Sequence, residues 1–193
     1  MDPIARFVEL LERAKRTPSV ADPTGMTLST VGVDGRPSGR VVLLKGIDAQ
    51  GLVFYTNTRS RKGRDIAAHP DASLSLWWPH LESQVRFEGK AALVSDAEAD
   101  AYFATRPRLS QLGAWASDQS APLRSREELE GRFAELERRY QGKTVPRPPH
   151  WSGYRVVPIS VEFWWNRPGR LHERELYTRA SPQGAWTRTL LNP

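Results

Sequence analysis

The sequence predicts an α+β chain, mainly antiparallel β, in which a run of helices interrupts a barrel of strands. Three observations lead there. Strand-like alternation with closely spaced turn residues fills 26–57 and 72–95, helical spacing fills the middle, and strand patterns return near 153. Strands first, helices inserted and strands last imply that the final strands rejoin the first sheet. No linker is long enough to separate domains. One unit over 1–193 is therefore expected, with a helical insert at about 96–141 and C-terminal strands at about 153–192.

The elements follow in order. Asp2 caps a first helix, Pro3 suits its first turn, and Ile4, Phe7, Val8, Leu10 and Leu11 form its apolar face. "KRTPSVADPTG" ends it with two prolines and a glycine. "MTLSTVGV" and "SGRVVLLKGI" read as strands around the turn "DGRP", and "LVFYTN" follows a second turn, "DAQG". "SRKGRDIAAHP" is a short helix from Ser60 to Pro70, before the strands "ASLSLWW" and "SQVRFEGKAALVS". The helical middle comprises "DAEADAYFATR", "RPRLSQLGAWASDQS" and "SREELEGRFAELERRYQG". After the proline-rich "TVPRPPHWSG", strands resume with "YRVVPISVEFWW", "RLHERELYTR" and "AWTRTLL".

Composition narrows the function classes. With 39% hydrophobic and 26% charged residues, 193 residues suffice for a sizeable core. Zero cysteines exclude disulfides and thiolate chemistry. Apolar runs such as "VVLL" are too short to cross a membrane, and the charged N-terminal segment lacks a signal peptide's apolar core, so a cytoplasmic location is the default expectation. The net charge of +6 is carried mostly by arginine and suits anionic partners, whether nucleic acid or small phosphorylated molecules, although genome composition also yields arginine bias. Nucleic-acid binding needs an open basic stripe flanked by aromatics. Here the basic residues are scattered among core strands, and no nucleic-acid partner is expected.

Three clusters carry chemistry. Arg40 with Ser60-Arg61-Lys62 places cations and helix N-terminal amides where one phosphate fits; a solvated basic turn is the alternative. Lys45, ending the apolar strand "VVLLK", is a weak signal alone. Tyr102, Arg106 and Ser110, spaced four and four, fall on one helical face, so phenol, guanidinium and hydroxyl converge. Pro107 forces a boundary or kink there, and a capped helix–helix junction explains the same residues. Strand alternation puts Arg170, His172 and Arg174 of "RLHER" on one face, where they repel unless an anion or electron-rich ring lies between them. Metal spacing, a phosphate-binding glycine loop and a nucleophile elbow are all missing from the sequence.

Taken together, "ADPTGM", "GRVVLLK", "GLVFYTNTRSRKG", "QVRFEGKA", "YFATRPRLSQLGAWASDQS", "VPRPPHWSGYRV", "EFW" and "RLHER" resemble, in order and over almost the whole chain, the pyridoxamine 5′-phosphate oxidase family. The resemblance implies an FMN-binding split β-barrel, a homodimer with FMN between subunits. It also implies oxidation of pyridoxine or pyridoxamine 5′-phosphate to pyridoxal 5′-phosphate by O₂, with hydrogen peroxide released. By resemblance, Arg40, Arg61, Lys62, Gln119 and Ser120 are FMN phosphate ligands, Tyr55 and Thr56 line the flavin, Gln84 addresses its edge, and Trp164 and Arg174 are further FMN contacts. Lys45, Tyr102, Arg106 and Ser110 cradle the substrate phosphate. Arg170 and His172 hold the pyridine against the flavin as the catalytic pair, a neutral His172 accepting a proton. Because the FMN phosphate ligands come from distant segments, they are expected to meet only across the subunit interface.

Departures from the family pattern are Ser83 before "QV", Trp165 after "EFW", Glu173 within "RLHER", and "LLNP" at the end. The family's N-terminal arm, which folds over the substrate, is expected to be missing because the sequence starts too late for it. The rival readings are an oxidase of a non-phosphorylated aromatic such as a phenazine precursor, which has no use for a second phosphate cradle, and a non-catalytic flavin-binding barrel, which needs neither Arg170 nor His172.

Overall fold

The computed structural model describes residues 2–17 and 22–193. Helix α1 (Pro3–Lys15) begins as expected: the Ile4 amide donates to the Asp2 carboxylate at 2.9 Å, and Pro3 fills the first turn, where no N–H is needed. Its ending agrees up to Thr17; residues 18–21 of the expected stop lie outside the described residues. Ile4, Phe7, Leu11 and Ala14 are buried, and Phe7 meets Phe87 edge-on at 4.8 Å.

The strands are β1 (Gly25–Val31), β2 (Pro37–Leu43), β3 (Gly46–Asp48), β4 (Gly51–Asn57), β5 (Asp71–Trp78), β6 (Ser83–Leu93), β7 (Trp151–Trp165), β8 (Glu173–Thr178) and β9 (Thr187–Leu191). All pairings are antiparallel, in the order β2-β1-β5-β6-β7-β4-β3. Only Leu44 and Lys45 separate β2 from β3, so the path begins and ends on one stretch of chain. That stretch pairs with β1 and then with β4, and the sheet closes on itself. The Leu44 amide donates to Thr24 and the Lys45 amide to Val53, carrying the ladder through the junction. Period-2 alternation turns Met26, Leu28, Leu74, Leu76, Val85, Phe87, Val161 and Phe163 inward. Each such side chain contributes about 1.5–3 kcal/mol by leaving water.

Strand β7 organises the rest. β6 pairs along its length, whereas on the other side β4 pairs with its first half (151–156) and β8 with its second (160–165). The register shifts beside Gly89, which faces Pro158, a residue with no N–H to give. Thus β7 rejoins the barrel, while β8 and β9 extend beyond it. A buried carboxylate, Glu175, fastens α1 to this extension: it accepts from Arg188 at 2.8 Å, Arg6 at 2.5 Å and the Tyr177 hydroxyl at 3.0 Å. The Arg188 hydrogen bond leads in holding its pKa down at about 2, against the opposing effect of burial.

Between β4 and β5 lies α2 (Arg61–Ala68), and between β6 and β7 lie α3 (Asp96–Thr105), α4 (Arg108–Ala116) and α5 (Arg126–Arg139). The last three cover a second, smaller core of Phe103, Leu112, Val145 and Trp151. Residues 106–120 are not one helix. Arg106 is extended and Pro107 stands at the N-cap of α4, because proline disfavours helical geometry in the residue before it.

Candidate active site

A cleft lies where β2, β4, the start of α2 and the α3–α4 junction converge. It has two adjoining lobes of about 320 and 270 Å³, which share Tyr55, Thr56, Arg106, Gln119 and Trp151.

The first cation cluster is built on the N-terminus of α2. Ser60 caps the helix by accepting from the Gly63 amide, and Gly63 is required because a Cβ there would lie 2.1 Å from the Thr58 carbonyl oxygen. Lys62 is buried, and its ammonium donates to three uncharged oxygens: Gln119 Oε1 at 2.9 Å, Thr56 Oγ1 at 3.1 Å and Ser60 Oγ at 3.2 Å. Burial, followed by repulsion from Arg40, lowers its pKa to about 8. The Arg40 guanidinium donates to Thr30 Oγ1, Ser38 Oγ and the Leu28 carbonyl, with Asp65 at 3.6 Å. Burial lowers its pKa, and Arg61 lowers it further. Lys62 and Arg40 thus repel one another and share Asp65 beside a helix start, with Arg61 exposed nearby. A helix start with cations beside it suits an anion.

Lys62 and Gln119 touch within one chain, which corrects the expectation that these segments meet only across an interface. Closure of the barrel carries the α4–α5 connection over β4. Arg40, Arg61 and Ser120 do not line the cleft. Arg40 is turned into the β1–β2–α2 seam and Arg61 is exposed, while Ser120 is exposed with a left-handed backbone (φ 73°).

The second cluster brings together Lys45, Tyr102, Arg106 and Ser110, but not on one helical face. The break at Pro107 folds α4 back, and Gln111 donates its side-chain amide to the Phe103 carbonyl at the end of α3. Lys45, Tyr102 and Arg106 line one lobe, and Arg106 and Ser110 the other. The Arg106 guanidinium lies 4.7 Å from the Trp151 ring centroid and 5.6 Å from that of Phe103. Burial lowers its pKa. Its Nη1 is buried without a hydrogen-bond partner among the described residues. Buried guanidinium nitrogens are almost always satisfied, so an anionic acceptor in the cleft fits this residue. Tyr102 stacks on Tyr55 at 3.9 Å, and Tyr55 has room only because its cross-strand neighbour is Gly153, where a Cβ would lie 2.7 Å from the ring.

The remaining predicted residues lie at the far end of β7. Trp151 opens this strand and Trp164 nearly closes it, so the two groups stand on the order of 40 Å apart along an extended strand. Gln84 pairs in register with Trp164 and Trp77. Arg170 is not on a strand: Pro168 and Gly169 (φ 67°) form a tight turn in which Arg170 is exposed at φ 61°. Of "RLHER", only Glu173 and Arg174 belong to β8, so the expected shared strand face of Arg170, His172 and Arg174 does not exist. The His172 ring centroid lies 4.5 Å from that of Trp164, and its Nδ1 accepts from the Arg167 amide at 3.3 Å. While this contact is held, a neutral His172 carries its proton on Nε2.

The sequence reading missed Trp151, Asn57, Asp65 and Glu162. Trp151 ends the "PPHW" connector and floors the cleft. Asn57 lines the cleft, and its carboxamide oxygen accepts from the Arg59 amide at the turn into α2.

A closed antiparallel barrel with helices inserted beside a cation-lined cleft defines a split-barrel protein. Residues 14–140 match the family described as pyridoxamine 5′-phosphate oxidase, and residues 151–193 match the pyridoxine 5′-phosphate oxidase C-terminal dimerisation region. The chain belongs to the pyridoxamine 5′-phosphate oxidase family. It is 59% identical to the pyridoxine/pyridoxamine 5′-phosphate oxidase of Myxococcus xanthus (strain DK1622), covering 100% of this chain and 92% of that one. It is 56% identical to the enzyme of the same name from Rubrobacter xylanophilus, covering 100% and 87%. Among solved structures, PhzG from Burkholderia lata 383, in complex with tetrahydrophenazine-1-carboxylic acid, superposes with a TM-score of 0.92 at 35% identity, covering 100% of this chain and 93% of that one. A pyridoxamine 5′-phosphate oxidase-related, FMN binding protein from Nostoc punctiforme shares the fold, with a TM-score of 0.80 at 21% identity and coverage of 100% and 99%.

Proposed function

We propose that this chain is the FMN-dependent oxidase that converts pyridoxine 5′-phosphate or pyridoxamine 5′-phosphate to pyridoxal 5′-phosphate, with O₂ as acceptor and hydrogen peroxide as product. Its relatives at 56–59% identity carry that name. One observation carries the reading: the cleft has two separate cation centres, the buried Lys62 and the half-buried Arg106 with its enclosed Nη1, and neither is paired with a carboxylate among the described residues. Two phosphates, one from the cofactor and one from the substrate, account for both.

Bound FMN would supply the chemistry of a hydride acceptor for the substrate's C4′ carbon, with O₂ as the final oxidant. The residues of this chain then have distinct tasks. Lys62 and the start of α2 hold the cofactor phosphate, with Arg40 and Arg61 adding to the local positive potential. Tyr55 and Thr56 wall the cofactor, and Gln119 ties that wall to Lys62. Lys45, Tyr102, Arg106 and Ser110 hold the substrate phosphate, with Trp151 excluding water beneath Arg106. Gln84, Trp164, Arg170, His172 and Arg174 stand too far along β7 to serve this cleft, and we assign them to the cleft of a second subunit in a homodimer. There Gln84, Trp164 and Arg174 contact FMN, while Arg170 and the His172 Nε2–H orient the pyridine ring. Alignment of this kind supplies most of what a hydride transfer needs from a protein.

The resemblance to the PhzG structure favours a second reading, in which Arg106 holds the carboxylate of a tricyclic acid. Arg106→Ala separates the two. Under the first reading the variant purifies with its flavin, and its affinity for pyridoxine 5′-phosphate, read as anaerobic bleaching, falls about ten- to a hundredfold with loss of one charge-assisted contact. Unphosphorylated pyridoxine should bleach wild type and variant equally poorly. Equal bleaching of the wild type by pyridoxine and its phosphate would remove the phosphate cradle.

A further inference from the structure

We propose that Glu162 is a positioning residue for cofactor binding, acting through Arg174. This rests on the reading that Arg174 contacts FMN.

Glu162 lies on the face of β7 that carries Trp164, beside Gln84 and Arg86 of β6 and Arg174 of β8. Other acidic side chains on this face, such as Glu88, are exposed, but Glu162 is only 4% exposed. Its carboxylate is divided between two arginines. Oε1 accepts from Nε of Arg174 at 2.8 Å and lies 2.8 Å from its Nη2, and Oε2 forms an ion pair with Nη2 of Arg86, its cross-strand partner, at 2.9 Å. The third nitrogen of Arg174, Nη1, donates to the Asn192 carbonyl at 3.1 Å. Two of the five guanidinium N–H groups are thus hydrogen-bonded, on Nε and Nη1, and the ion pair fixes Nη2, which leaves N–H groups on both terminal nitrogens for a ligand. An arginine held this way presents a fixed fork and loses little further side-chain freedom on binding. A free arginine on an edge strand lacks that advantage.

The sign of the effect separates positioning from charge. Glu162 places a negative charge beside the arginine that meets an anionic cofactor. If charge alone mattered, Glu162→Gln would tighten FMN binding. If orientation matters, the same change frees Arg174 and weakens FMN binding, by about tenfold.

The experiment measures the FMN dissociation constant of apo-protein variants by quenching of flavin fluorescence, with the apo-protein melting temperature as a control for folding. Arg174→Ala and Glu162→Gln are each expected to weaken FMN binding about tenfold, and the double variant no more than about twofold beyond Arg174→Ala. Glu162→Asp, which keeps the charge but shortens the reach, should weaken binding with the melting temperature unchanged; it serves if Glu162→Gln does not fold. Unchanged or tighter FMN binding in a folded Glu162→Gln, or additive losses in the double variant, overturns the role of Glu162. Unchanged binding in Arg174→Ala overturns the Arg174 reading itself, and with it the proposal.

Discussion

At Lys62 an ammonium is buried among three neutral oxygens and faces Arg40, and the cost of its charge sets a pH dependence. Its pKa is about 8 in the folded chain against an ordinary 10.5. Between these values the unfolded chain holds a proton that the folded chain lacks, so the apo-protein gains stability as pH rises through this window. In its proposed role of holding the FMN phosphate Lys62 must be charged, so the affinity of the apo-protein should move the other way. It should be level below about pH 8 and fall above it by up to about tenfold per unit, until the higher pKa that Lys62 takes beside a phosphate is reached. Fluorescence titrations between pH 6.5 and 10 check this, and Lys62→Met should flatten the profile. A level wild-type profile would take Lys62 out of the phosphate seat.

Among elements, β7 does most to place the site, because it changes partner from β4 to β8 partway along. The change is built around Gly89 and Pro158. A Cβ at Gly89 would lie 2.0 Å from the Val157 oxygen and 2.8 Å from Pro158 Cα, both backbone atoms that no rotamer can move. Gly89→Ala should therefore destabilise the chain by about 2–3 kcal/mol through overpacking. Gly131→Ala, within α5 and with nothing within 4 Å of its added methyl, should stabilise it by about 0.5–1 kcal/mol. Denaturant unfolding of the two variants side by side tests the assignment; equal midpoints would mean that β7 shifts freely and that the bulge is not needed.

For the whole molecule, the two groups of site residues lie near opposite ends of β7, while the C-terminal segment matches a dimerisation region. In the proposed homodimer each cleft takes Lys62 and Arg106 from one subunit and Arg170 and Arg174 from the other. Arg106→Ala and Arg170→Ala homodimers should each be impaired at both sites. Random mixing of the two chains makes half the dimers mixed, each with one intact site, so about a quarter of sites should regain wild-type turnover. Activity no higher than the mean of the two parents would show that both groups serve one subunit's cleft.

Much of the molecule was legible in the residues themselves. The Asp2–Pro3 cap, the strand alternation and the "TNTRSRKG" entry to α2 are short-range signals, set by spacings of a few residues, and the structure keeps them. Ser60-Arg61-Lys62 and the Tyr102, Arg106, Ser110 spacing are short-range signals too, whereas Arg40 and Lys45 joined them only through the family resemblance or across the fold. How the clusters assemble was not legible. Tyr102, Arg106 and Ser110 converge at a break between helices, Arg170 sits in a turn ahead of β8, and Lys62 meets Gln119 across 57 residues. Trp151 under Arg106, Asp65 beside Arg40 and Glu162 between two arginines carry no local signature, because each is defined by a neighbour on another strand or helix. Local sequence determined the elements and the chemistry available, since backbone preference and side-chain period act over a few residues. Only closure of the sheet decided which cations lost their water and which kept a counter-charge, because desolvation depends on everything packed around a group and not on its neighbours in the chain.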